Sequence, residues 1–529
     1  MPLVSHGRAL TLHAERKPDA VALVHEGRET RYADLEGAAN RLARLFAKQG
    51  VGEGDFVTLA LPNGREFVEA LFACWKLGAT PQPVSPRLPR HERDAILALV
   101  APRLVVGVPV SEVPGGTSAT SATSELRGSR GAVGAVGVGD VTAGPIVLDA
   151  GFETSGESDV PLPDRVSRYR MAICSGGSTG RPKVVVDHIR AESDPEARYH
   201  DQPAGTSILI PGPLYHSAPL INCLSVLLGG GKVVAMTRFD AVESLQLIEA
   251  HRLALAIFVP TMMVRIWKLS PEERAAFDLS SLQRVVSSSA FLPEWLRREW
   301  IEWIGPDRVW EAYGGSERIV GTLISGRDWL ARPGSVGRVS EGRKIKVVGP
   351  DGETLPPGEI GDVYGMPPGG PGSTYHYLGA EPRRLAEGWE TLGDMGYLDE
   401  DGFLYLVDRR TDLVITGGAN VYPAEVEGAI ESHPDVLACA VIGLPDDDLG
   451  AVVHAIVHLA RPVSEDELRR HVEKRLVRYK IPRHFEFVWD TLKDDAGKVR
   501  RAALRAERVA ALERQIVGCD SAESRLRVG

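Results

Sequence analysis

The chain has 529 residues, with 61 Lys+Arg against 71 Asp+Glu for a formal net charge of −10, and is 43% hydrophobic and 25% charged. That composition excludes a disordered or fibrous chain, and the acidic balance argues against a nucleic-acid partner. The length suits three to four domain-sized units, or two unequal lobes of which the larger is layered.

At the amino end, MPLVSHGRAL has no basic-then-apolar signal pattern. Positions 32–48 place Leu35, Ala38, Ala39, Leu42, Leu45 and Phe46 on one helical face. Glycines at 50, 52 and 54 then end that helix and lead into the apolar strand 56–61. A second helix is predicted over 65–76, closed by Gly78. Repeated helix–strand alternation predicts an α/β fold with two β-sheets covered by helices. Positions 113–144, rich in Gly, Ser, Thr, Ala and Val, read as a long mobile surface insertion without core-building bulk. Alternation resumes from 168 to about 309, with a helix over 239–251 and a strand over 255–259 that Pro260 ends. Dense glycine and proline with short strands over 334–406 predict a small β-rich subdomain. Beyond it, helix 423–432, strands 436–442 and 452–458, and helix 465–478 predict a small mobile α+β C-terminal domain. The boundaries expected are 1–408, a hinge at 409–412, and 413–529. The basic-leaning tail from Lys498 onward reads as a solvated helix.

Two exclusions apply to the whole chain. Cys74, Cys174, Cys223, Cys439 and Cys519 form no CxxC pair, so a disulfide framework, zinc ribbon or dithiol redox site is not expected. The longest apolar runs fall short of the roughly 18 residues a membrane span requires. A cytoplasmic enzyme with no membrane span is expected.

The segment that carries most chemistry is Cys174-Ser175-Gly176-Gly177-Ser178-Thr179-Gly180-Arg181-Pro182-Lys183, placed after a predicted strand. Its glycines let backbone approach a ligand, its hydroxyls and N–H groups suit phosphate oxygens, and Lys183 adds charge. It lacks the Walker spacing, and no glycine pair elsewhere completes a dinucleotide fingerprint. Taken alone, it is either a flexible turn or a phosphate loop.

The decapeptide resembles the glycine-rich phosphate loop of the adenylate-forming superfamily, which contains acyl-CoA synthetases, luciferases and peptide-synthetase adenylation domains. Four further blocks resemble that superfamily in order along nearly the whole chain. They are Glu311-Ala312-Tyr313-Gly314-Gly315-Ser316-Glu317, then Gly393-Asp394 through Asp408-Arg409, then Gly417-Gly418 to Glu427, and finally Gly497-Lys498. Departures are Cys174 for a hydroxyl residue, Ser316 for Thr, Leu392 between Thr391 and Gly393, and Thr411 at the hinge.

The resemblance implies roles. Ser175, Gly176, Gly177, Ser178, Thr179, Gly180 and Lys183 would cradle nucleotide phosphates. Ser289, Ala290, Phe291 and Tyr313 would line adenine, with Glu311, Ala312 and Gly314 in the same nucleotide site. Asp394 would take the ribose, Arg409 would donate to ribose or phosphate, and Ser316 would belong to the nucleotide site and the catalytic set. Glu317 and Thr179 would hold Mg²⁺. Lys498 would neutralise charge between the acyl carboxylate and the α-phosphate. His216, Gly314 and Gly315 would border the acyl group, and Gly417 and Gly418 would face the thiol arm.

The expected activity is therefore an ATP-dependent acid–thiol ligase that uses CoA. A stand-alone enzyme loading a carrier-protein phosphopantetheine is the close rival, a luciferase-type oxidation is a further one, and a catalytically silent nucleotide-binding scaffold is remote. Positions 215–225 contain no Asp or Glu, which disfavours an amino-acid substrate. Apolar neighbours such as Leu220, Ile221, Leu224 and Val259 favour a hydrophobic acid, with a lean toward bulky alicyclic or terpenoid acids. A homodimer is compatible with the chain.

Overall fold

The computed structural model describes residues 2–118, 145–149, 152–176, 182–196, 204–340, 342–446, 448–494 and 497–526. The strands Val21–His25, Lys232–Ala235, Ser207–Ile210, Leu255–Phe258, Arg284–Ser287 and Val309–Gly314 run parallel as neighbours at the centre of one sheet. Their residues are almost wholly buried and apolar, as expected for parallel strands covered on both faces. Helices His6–Arg16, Tyr32–Lys48, Arg65–Lys76 and Ser217–Leu228 cover one side. Ala241–His251, Pro260–Trp267 and Glu294–Ile304 cover the other. Asp240 caps the Ala241–His251 helix by accepting from the Glu243 N–H, so that helix starts two residues later than the periodicity suggests. A second sheet, all parallel, comprises Thr80–Pro83, Phe56–Leu59, Leu104–Val106, Ile146–Leu148 and Thr117–Ser118.

The β-rich stretch expected over 334–406 is present, and most of its strands extend the large sheet, because Ser335–Val339 pairs with both Gly321–Ser325 and Leu404–Arg409; Tyr375–Leu378 instead pairs with Pro182–Asp187 in a three-stranded sheet. One expectation changes. The insertion begins later than its composition suggests. Val113 is buried in one cluster with Ile96, Leu97 and Val105, and Thr117–Ser118 adds a sheet edge, so positions 113–118 belong to the folded lobe rather than to the insertion. The remainder, 119–144, lies outside the described residues.

The C-terminal segment has its own core. Strands Val436–Asp446, Gly450–Leu459 and His484–Val488 form a three-stranded sheet. Helices Pro423–Glu431 and Glu465–Glu473 bury Val426, Ile430, Leu468 and Val472 with strand residues such as Val441 and Val457. The fold is thus a large mixed α/β N-terminal lobe and a small α+β C-terminal domain. Among the described residues, no helix is long and apolar enough to cross a membrane.

Candidate active site

In an open parallel sheet, ligands bind beyond the carboxyl ends of the strands. Four consecutive central strands deliver candidate residues there. Gly212, Pro213 and His216 follow Ser207–Ile210, Val259 and Met262 follow Leu255–Phe258, Ser288 and Ser289 follow Arg284–Ser287, and Gly315 to Glu317 follow Val309–Gly314. The first three groups line one apolar pocket with Pro219. Among the described residues, no carboxylate lines it. His216 is the N-cap of the Ser217–Leu228 helix and lines the pocket, its ring 4.8 Å from that of Tyr215. Ser289 has φ +75°, a left-handed conformation rare outside glycine, in the turn expected to line adenine. Ala290 and Phe291, next along that turn, are exposed.

The ribose-side pair follows from strand register. Asp394 opens the strand Asp394–Leu398, Arg409 closes Leu404–Arg409, and the two residues are directly opposed across the antiparallel ladder. Their side chains meet at 3.2 Å, Arg409 Nε donating to Asp394 Oδ1. Tyr313 donates its hydroxyl to Asp394 Oδ2 at 2.7 Å. Burial, with the Asp394 charge added, holds the Tyr313 phenol well above its usual range, so it stays a donor. Gly393 adopts φ +89° and donates its N–H to Thr391 Oγ1, a turn that aims Asp394 into the cleft despite the intervening Leu392.

Glu317 is 7% exposed. Its Oε1 accepts from Tyr377 Oη at 2.7 Å and from Lys183 Nζ at 3.3 Å. Lys183 lies on Pro182–Asp187, directly after the phosphate loop. Ser175 and Gly176 end the preceding strand, Ala172–Gly176. Gly177, Ser178, Thr179 and Gly180 lie outside the described residues. A hard carboxylate oxygen beside the loop lysine is the donor chemistry that Mg²⁺ takes, so Glu317 fits a cation site. Gly314 is exposed, and a Cβ added at Gly315 would lie 2.7 Å from Glu317 Oε2. Ser316 is half-buried between Gly315 and Glu317.

Lys498 arrives from the C-terminal domain on a tight turn. Asp494 accepts from the Lys498 N–H at 2.9 Å, and Gly497 adopts φ +74° with its N–H on the Asp494 carbonyl. The turn docks on the N-terminal lobe at Val259 and Thr261. Its side chain is partly accessible and lies within electrostatic reach of Arg409, Glu317 and Asp394. Burial by the surrounding protein, then the Arg409 charge, lower its pKa, with Asp494, Glu317 and Asp394 pulling the other way.

Two candidates stand apart from this centre. The Glu311 carboxylate is paired with the fully buried Arg297 guanidinium, so its side chain is held in the core; neighbouring Ala312 is half-buried on the same strand. Gly417 and Gly418, with φ +53° and +80°, form the exposed two-residue turn between Val414–Thr416 and Ala419–Val421. Sequence reasoning missed Tyr377 and also Asn63. The Asn63 amide donates to the Gly212 and Met236 carbonyls while its oxygen accepts from Leu214 N–H, pinning the pocket-forming loop. Its local signal is only an Asn before a helix; its partners are about 150 or more residues away.

With this geometry in place, family models match two stretches: an AMP-binding enzyme over residues 10–376 and an AMP-binding enzyme C-terminal domain over 425–498. The chain belongs to the AMP-binding enzyme family of the adenylate-forming superfamily, in its AMP-forming acyl-CoA synthetase class. A feruloyl-CoA synthase from Amycolatopsis sp is 34% identical, covering 93% of this chain and 96% of that one. An indoleacetate–CoA ligase from Aromatoleum aromaticum is 29% identical, also covering 93% and 96%. Among solved structures, the o-succinylbenzoate coenzyme A synthetase of Bacillus subtilis in complex with ATP and magnesium ion superposes with a TM-score of 0.72. That chain is 26% identical, with 93% of this chain and 98% of that one covered.

Proposed function

We propose that this enzyme joins a flat, hydrophobic aryl acid to ATP as an acyl-AMP, releasing pyrophosphate, and then passes the acyl group to the CoA thiol, releasing AMP. The observation that carries this reading is the Lys498 ammonium within electrostatic reach of Arg409, Glu317 and Asp394, on a turn whose Gly497 packs against the pocket residue Val259. A substrate carboxylate entering from that pocket meets a cation as its oxygen attacks the α-phosphorus. Lys498 offsets the two converging anions where charge develops, and Asp394 can accept from ribose hydroxyls through lone pairs that Tyr313 and Arg409 leave. Mg²⁺, when bound, would neutralise charge on the departing pyrophosphate, and Glu317 would hold it together with Thr179. The mixed anhydride then has AMP as a stabilised leaving group, which the thiol sulfur displaces.

The lining of the pocket bears on the acyl class. A Cβ added at Gly212 would lie 3.1 Å from Pro219 Cγ and 3.9 Å from Met262 Cε, so the backbone packs directly against the apolar wall and a side chain there would narrow the pocket. The apolar lining suits an uncharged hydrophobic group, and a substrate ammonium would find no carboxylate partner among its described residues. The feruloyl and indoleacetate relatives are named for flat aryl acids, which favours that class over a bulky alicyclic or terpenoid acid. Pyrophosphate release is measured over a panel of cinnamic, arylacetic, alicyclic and terpenoid acids, with and without CoA. Aryl acids are expected to turn over best and to yield a CoA thioester. Turnover only with the alicyclic or terpenoid acids rejects the aryl assignment, and acyl-AMP that never transfers to CoA favours a carrier-protein acceptor.

A further inference from the structure

The strand Tyr375–Leu378 pairs antiparallel with Pro182–Asp187, Tyr377 standing opposite Val185. This register puts a phenol between two groups that the sequence separates by 134 residues. Tyr377 Oη donates to Glu317 Oε1 at 2.7 Å and accepts from Lys183 Nζ at 3.0 Å. The same ammonium stands 4.2 Å from the centre of the Tyr377 ring. Thr374, just before the strand, donates its hydroxyl to the Glu317 carbonyl at 2.8 Å, so both main chain and side chain of Glu317 are fixed from this one segment. Tyr375 packs edge-on against Tyr377, ring centres 4.8 Å apart, and keeps the phenol from swinging away.

We propose that Tyr377 is a positioning residue for the nucleotide–metal step: its hydroxyl holds the Glu317 carboxylate and the Lys183 ammonium at a fixed spacing. The inference rests on the phosphate role expected of Lys183 and the cation role proposed for Glu317. The two charges are themselves in contact, Lys183 Nζ to Glu317 Oε1 at 3.3 Å, and a bare ion pair would draw the lysine from phosphate and the carboxylate from a cation. A phenol that accepts from one and donates to the other gives each a second partner and so fixes the spacing of the pair. With Oε1 held by the hydroxyl, one face of the carboxylate is fixed, and Lys183 can turn to a phosphate oxygen without Glu317 losing its orientation. The aromatic face gives the ammonium a resting place that costs Glu317 no lone pair.

Tyr377→Phe removes only the hydroxyl and keeps the ring. Calorimetric binding of MgATP and of AMP to the full chain separates the roles, because AMP has neither the terminal phosphates nor the metal. The expected result is MgATP affinity down about tenfold, the size of a lost hydrogen bond to a charged group, with AMP affinity essentially unchanged. The Mg²⁺ concentration for half-maximal adenylation rises in parallel, while the KM for the acid and the unfolding temperature stay put. Equal weakening of AMP and MgATP, with or without a lower unfolding temperature, would make the role merely structural and overturn the proposal; so would unchanged binding of both. Should the wild-type enzyme release no pyrophosphate with any acid, the proposed function fails, yet the binding comparison still decides the role of Tyr377.

Discussion

Gly497 lies so close to Thr261 that a Cβ added to it would stand 2.9 Å from the threonine Oγ1 and 3.1 Å from Val259 Cγ2. The C-terminal domain therefore docks through a glycine because nothing larger fits, and the docked glycine is the residue before Lys498. Its φ of +74° adds a second constraint, since a left-handed L-residue costs roughly 1–2 kcal/mol. Gly497→Ala is expected to lower acyl-AMP formation about tenfold or more, about 1.4 kcal/mol of barrier. Thioester formation from supplied acyl-AMP should change little, and separate half-reaction assays check the split.

Lys498→Ala should reduce adenylation by roughly 10²–10³, the size of losing a charged transition-state partner, and leave the thioester half-reaction largely intact. Equal loss of both would mean a different role. The sign of the pH dependence follows from the environment of the amine. Burial and Arg409 place its pKa below the ordinary 10.5, and the role proposed for it in adenylation needs the ammonium. The adenylation rate should thus fall as pH rises through a midpoint below 10.5, and a pH–rate profile of that half-reaction locates it.

Glu317→Gln keeps size and hydrogen-bonding reach and removes the charge. Adenylation should slow, and the Mg²⁺ concentration needed for half-maximal rate should rise several-fold, by analogy with the loss of a hard anionic ligand. A magnesium titration with unchanged midpoint would remove Glu317 from the cation site.

What the sequence made legible was what is local. Helices Tyr32–Lys48 and Arg65–Lys76 match the periodicity to the residue because each has an apolar face and glycine just beyond its end. Pro260 misled in an instructive way. It does stop a strand, but it also opens the helix Pro260–Trp267, since proline at the first helical position lacks only an N–H that would be unpaired anyway. The motif residues were legible as a set, and Asp394 and Arg409 do meet. What local spacing could not show is pairing set by tertiary register. Tyr377 reaches Glu317 only because two strands lie side by side, and Glu311 turns inward only because Arg297 is buried beneath it.

Lys268, just past the Pro260–Trp267 helix, carries a buried amine with no hydrogen-bond partner among the described residues. It faces Glu431 and Asp435 of the C-terminal domain, and burial lowers its pKa to about 8 despite their attraction. The folded protein thus gives up this proton near pH 8, whereas the unfolded chain keeps it to about 10.5. Between those values the unfolded state binds more protons, so stability rises with pH, and below 8 the full penalty of a buried ammonium applies. Glu431 keeps Lys493 and Asp435 keeps Arg461 if Lys268 is replaced. Lys268→Met is therefore expected to raise the unfolding temperature at pH 7, with its advantage over wild type shrinking from pH 8 toward 10.5. A pH series of calorimetric melts would show the opposite trend if the amine were net stabilising.

The last expectation concerns the turn Arg409–Asp412, which we propose as the hinge. Gly497, next to Lys498, is docked against Val259 and Thr261 while the Gly417–Gly418 turn of the same domain is exposed to solvent. If adenylation uses Lys498 and thiol entry uses the exposed turn, one rigid geometry cannot serve both steps, and the domain must rotate between them. The Asp412 N–H donates to the Arg409 carbonyl at 3.0 Å, closing a four-residue turn with Arg410 and Thr411 at its centre. Arg410 is tied to Asp362 on the N-terminal side, and Asp412 is tied to Arg501 on the C-terminal side. Thr411 is left as the link between two anchored residues, and rotation there needs free backbone rather than charge. Thr411→Pro fixes φ near −65°, and proline is disfavoured at the third position of such a turn because it restricts the residue before it. One half-reaction should therefore slow at least about tenfold more than the other, ~1.4 kcal/mol of differential barrier. Single-turnover measurements of acyl-AMP formation, and of thioester formation from supplied acyl-AMP, decide the matter. Wild-type rates for both in a folded variant would move the hinge elsewhere.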